Sequence, residues 1–63
     1  MVIYEYTKFF PDLEFLENEI KNSNMNDKNI LYSRWDLEGN SLKFFFQNEL
    51  SILDKTILDS IVN

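Results

Sequence analysis

The chain contains a single glycine, Gly39, and it stands between two runs of strand-forming residues. Ile30 to Leu37 precedes Glu38-Gly39-Asn40, and Ser41 to Gln47 follows it. Gly and Asn both tolerate positive φ, so the segment predicts a β-hairpin with a two-residue turn. With Gly39 and Asn40 as that turn, the opposed pairs are Leu37 with Leu42, Asp36 with Lys43, Trp35 with Phe44, Arg34 with Phe45, and Ser33 with Phe46. One face then carries Leu31, Trp35, Leu37, Leu42, Phe44 and Phe46. The reverse face carries Tyr32, Arg34, Asp36, Lys43, Phe45 and Gln47, with Asp36 and Lys43 as an ion pair and Arg34 against an aromatic ring. A slip of one residue would mix the two sets, so the complementary pairing on both faces argues for this register.

The flanking segments complete one domain spanning residues 1–63. Val2 to Thr7 is β-branched and aromatic with partial alternation, which reads as a strand. Pro11 suits the first turn of a helix because it has no N–H to lose there. Leu13, Leu16 and Ile20 then form one apolar stripe with Phe15 at its border, and Asp12 and Glu14 sit at the positive end of the helix dipole. Asn22 to Asn29 holds four asparagines, whose side chains compete for backbone hydrogen bonds, and reads as a loop. Ser51 followed by Asp54 has the spacing of a capping box, ahead of a stripe of Leu53, Ile57, Leu58, Ile61 and Val62. The order β-α-β-β-α predicts an α+β fold: a three-stranded, mostly antiparallel sheet with both helices packed on one face.

At 63 residues, with neither Cys nor His, the chain has no disulfide or zinc site to support a small core. Its ten aromatic side chains must supply the stability, or association must, and a homo-oligomer is an open expectation. The net charge of −5 disfavours nucleic acid and anionic lipid surfaces as partners. No apolar run approaches the length of a membrane span, and the basic region of a signal peptide is missing from Met1 to Glu5, so the expected place of synthesis is a cytoplasm. An enzyme needs a nucleophile with a base, a metal, or paired acids in a dry pocket. Lacking histidine and any glycine-rich phosphate loop, the chain is expected to be no enzyme and to hold no catalytic residue, cofactor or metal. Asp12, Glu14, Glu17 and Glu19 read as a solvated helix face.

The reverse sheet face is the candidate site. Tyr32, Arg34 and Phe45 are residue types that dominate interface energetics, and Lys43 lies among them. Tyr4 and Tyr6 join this face if Ile3 is the core-facing residue of the first strand. The competing reading is an ordinary two-sided sheet whose aromatics cover one another. The acidic first helix supports a second function class, a small inhibitor of a host defence or DNA-processing enzyme that imitates a DNA backbone.

The stretch Gly39-Asn40-Ser41-Leu42-Lys43-Phe44-Phe45-Phe46, with Leu50-Ser51-Ile52-Leu53-Asp54-Lys55-Thr56-Ile57-Leu58-Asp59-Ser60-Ile61-Val62, resembles short proteins encoded among the structural genes of tailed bacteriophages. There a strand ends in an apolar run, followed by Leu-Ser, a charged pair, and Leu-Asp-x-Ile-Val. The resemblance covers roughly the last third of the chain. It implies a minor virion protein, made in the host bacterial cytoplasm, that binds the major capsid or portal protein.

Overall fold

A computed structural model describes all residues from Met1 to Asn63. Strand β1 (Val2–Thr7) leads to helix α1 (Leu13–Lys21), strands β2 (Ile30–Asp36) and β3 (Ser41–Phe46), and helix α2 (Ile52–Val62). The three strands form one antiparallel sheet in the order β1-β3-β2, so the most apolar strand, β3, takes the centre. This is the α+β architecture expected from the element order.

Both helices cover the same face. Leu16 and Ile20 of α1 and Leu58 and Val62 of α2 close over Leu42, Phe44 and Phe46 of β3, with Met25 and Leu50 completing the buried cluster. Helix α1 begins behind Asp12, whose carboxylate accepts from the Phe15 N–H at 3.1 Å; Pro11 lies just outside. Helix α2 begins behind Ser51, whose hydroxyl oxygen accepts from the Asp54 N–H. The stripe on α2 starts one residue later than its apolar pattern predicts: Leu53 is exposed, and Asp54 is buried on the side that faces the core.

The hairpin differs from expectation by two residues. Trp35 opposes Leu42, Arg34 opposes Lys43, Ser33 opposes Phe44, and Tyr32 opposes Phe45. The connection is four residues long, Leu37 to Asn40, closed by the Asn40 N–H donating to the Leu37 carbonyl. Gly39 (φ 76) and Asn40 (φ 51) are both left-handed, as their residue types allow. A shift of two preserves the expected face of the residues from Tyr32 to Asp36 and along β3, because side chains alternate with period two. Leu37 is the exception: it leaves the strand for the turn and is exposed, not core. Leu31 is also exposed, because the register skips it between Ile30 and Tyr32 as a bulge.

Candidate functional site

The helix-free face gathers side chains from all three strands. On the central strand Phe45 stands between Tyr32 of β2 and Ile3 of β1, its two cross-strand neighbours. The Tyr32 and Phe45 rings stack at 4.2 Å with an interplanar angle of 14°. Tyr32 lies over the inner ring: Phe45 is only 8% exposed, whereas Tyr32 and Ile3 keep about half their surface in water (49% and 50%). Phe45 is therefore the floor of the patch, and Tyr32 and Ile3 are its accessible part. Leu31, pushed outward by the bulge, is equally exposed beside Tyr32.

Polar groups occupy the end of the same face nearer the hairpin turn. Arg34 pairs with Asp36 at 3.1 Å, and Lys43 approaches the other oxygen of that carboxylate at 4.0 Å. Ser41 donates to Glu5 from the neighbouring strand. Glu5, Arg34, Asp36, Glu38, Ser41 and Lys43 line a shallow hollow there. An apolar patch beside mixed charges can hold a protein surface by burying rings while its charges set orientation.

Tyr32, Arg34, Lys43 and Phe45 thus come together as expected, and Tyr4 and Tyr6 do not. Both tyrosines point to the helix side. Tyr4 meets Phe46 edge-on at 5.7 Å and accepts from the Leu50 N–H, while Tyr6 meets Phe44 at 6.0 Å. The placement was conditional on Ile3 facing the core, and the opposite holds. The cause is readable in the strand: Glu5 has the same parity as Ile3, so turning Ile3 inward would bury a carboxylate. Turning Val2, Tyr4 and Tyr6 inward buries two rings and leaves each hydroxyl a partner. Ile3 is accordingly the site residue that the sequence reading missed.

A second polar cluster ties α2 to β1. The Tyr6 hydroxyl donates to Asp59 Oδ1 at 2.7 Å, and Lys55 Nζ donates to the same oxygen at 2.6 Å. Lys55 also lies over the Tyr4 and Tyr6 rings, 5.8 and 5.4 Å from their centroids. Burial, reinforced by the bond to Asp59, raises the Tyr6 hydroxyl well above its ordinary value of 10.0. The Lys55 hydrogen bond, followed by that of Tyr6, holds Asp59 below 3.8. These groups hold structure and do not converge on a cavity.

The acidic helix is less available than its sequence suggests. Asp12 is engaged as the helix cap, and Glu17 accepts from the Ser33 hydroxyl on β2. No cluster of three or more His, Cys, Asp or Glu side chains has the arrangement of a metal site. No helix is long and apolar enough to cross a membrane. No protein-family model, curated protein or solved structure matches the chain.

Proposed function

We propose that the protein is a non-catalytic docking module that attaches to another protein through its helix-free sheet face, with Tyr32 and Ile3 as the apolar anchors over Phe45 and Arg34 and Lys43 as orienting charges. The observation that carries this reading is the half-exposed stack of Tyr32 on a buried Phe45, on a face that neither helix covers. Tyr and Arg are the side chains on which interfaces most often depend, and a rigid aromatic platform loses little conformational entropy when it binds. The molecule measures 31 × 21 × 17 Å, so its broad face is comparable to one side of a standard interface, about 800 Å².

The resemblance of Gly39–Phe46 and Leu50–Val62 to phage structural proteins directs the proposal to a minor virion protein, with the major capsid or portal protein as partner. Between this and a DNA-mimicking inhibitor, the engagement of Asp12 and Glu17 in internal hydrogen bonds favours the docking module. The test pairs purified phage particles with variants. The chain is expected in fixed stoichiometry in the mass spectrum of gradient-purified particles. Tyr32→Asp and Arg34→Glu are expected to keep the wild-type circular dichroism spectrum and to be absent from those particles. Normal incorporation of both variants would overturn the assignment of this face; loss of function on charge reversal at Glu14 and Glu19, with the protein absent from particles, would support the inhibitor.

A further inference from the structure

The two edges of the sheet are guarded unequally. The Lys8 N–H donates to the Asn40 carbonyl at 2.9 Å, which fixes the phase of the ladder beyond it. Tyr6 with Leu42, Tyr4 with Phe44 and Val2 with Phe46 are then the pairs that exchange hydrogen bonds with β3. Ile3, Glu5 and Thr7 consequently point their N–H and C=O groups away from β3, to the open side of β1. None of these N–H groups has a side-chain partner or a partner elsewhere in the chain. On the other edge, β2 carries the Leu31 bulge, and Ser33 is tied to Glu17 of α1. Natural sheets blunt their edges with bulges, prolines, lysines or a covering helix. Strand β1 is regular over six residues, contains no proline, lysine or arginine, and has one charge, Glu5.

We propose that β1 pairs antiparallel with β1 of a second copy, around a two-fold axis at Tyr4, to join two domains into one six-stranded sheet. The exposed backbone groups of Ile3 and Glu5 are symmetric about Tyr4, so this axis sets Ile3 opposite the partner's Glu5 and lets each pair exchange two hydrogen bonds. An axis at Glu5 would place two carboxylates directly opposite and is disfavoured. In the Tyr4-centred arrangement each Glu5 has Ile3 of the other copy on one side and its own cross-strand neighbour Lys43 on the other. The contact is isologous and uses up both β1 edges, leaving only the guarded β2 edges outward; assembly therefore closes at two. A single strand pair buries less than the ~1,200 Å² of stable interfaces, which makes this a weak dimer, populated at high micromolar concentration. Each chain carries a net charge of −5, so added salt strengthens the pairing. This pairing is independent of what binds the open face, and its failure would leave that reading untouched.

The experiment is sedimentation of the full chain across a concentration series from about 10 μM to about 1 mM. The weight-average mass is expected to climb from 7.6 kDa toward twice that value, and no further. Glu5→Pro removes an N–H that points to the open edge and leaves the internal ladder whole, so it is expected to stay monomeric with an unchanged circular dichroism spectrum. Tyr6→Pro removes an N–H bonded to Leu42 and is expected to unfold the domain. In the wild type, amide exchange at Ile3 and Glu5 should slow as concentration rises, a readout that needs no variant. A wild type that stays at monomer mass throughout, species larger than a dimer, or a Glu5→Pro variant that still dimerises would each overturn the proposal.

Discussion

Asp54 occupies a position on α2 where the apolar stripe would place a leucine, and it is 2% exposed. Its carboxylate accepts from the backbone N–H groups of Asn26 and Asp27, each at 2.9 Å, and so pins the asparagine-rich connection against the start of the helix. A buried charge is tolerated when it is fully hydrogen-bonded, and these bonds supply that condition along with the positive end of the α2 dipole. Asp54→Ala is expected to cost about 2–3 kcal/mol in urea denaturation, because two charge-assisted bonds are lost together. Asp54→Asn should recover only part of this, since one amide oxygen replaces two acceptors and the amide nitrogen faces a donor. The Ser51 cap was legible in the sequence because its partner lies three residues away. The bonds of Asp54 were not, because they reach across 27 and 28 residues to backbone groups that carry no side-chain signature.

Among the elements, the phase of β3 was legible and its register was not. Alternation assigns Leu42, Phe44 and Phe46 to one face whatever the length of the turn, whereas the partner of each residue depends on whether Leu37 and Glu38 belong to the strand or to the loop. The same limit applied to β1, where Val2, Ile3, Tyr4 and Tyr6 offer apolar groups on both parities and only Glu5 breaks the tie. That inward turn of β1 creates its tether to α2 through Tyr6, Asp59 and Lys55, and the tether predicts how stability responds to pH. Asp59 titrates below its ordinary 3.8 in the fold, so it contributes stability above that value and loses it as the pH falls through the folded value. Tyr6 is raised above 10.0, so its contribution is complete below that pH and is lost only in strong alkali. In thermal melts, Asp59→Asn is expected to be destabilised relative to wild type near neutrality, with the gap closing as the pH falls below about 4. Its Tyr6 should ionise closer to pH 10.0, as read from tyrosinate absorbance, because the anionic acceptor has gone.

For the molecule as a whole, the distribution of its aromatic rings separates folding from recognition. Chains of this length are stable by roughly 3–9 kcal/mol, so little can be removed from the core without unfolding. Phe44 is fully buried at the centre of the cluster that both helices close over, with Tyr6 against its edge. Tyr32, in contrast, is held mainly by one stacked neighbour and is half in water. Phe44→Ala should cost about 3–5 kcal/mol and leave a substantial unfolded fraction at 37 °C. Tyr32→Asp should cost less, about 1–2 kcal/mol in the same urea titration, because only half of its side chain is buried and the charge it adds can reach water. Phe45→Ala is the informative intermediate. Its ring is buried beneath Tyr32 on the face opposite the core, so its loss should cost clearly more than Tyr32→Asp and less than Phe44→Ala. That ranking follows from a sheet with one face sealed by helices and the other sealed only by its own rings. If Phe45→Ala and Phe44→Ala proved equally damaging, the helix-free face would be a second core, and Tyr32 a part of it rather than an anchor for another protein.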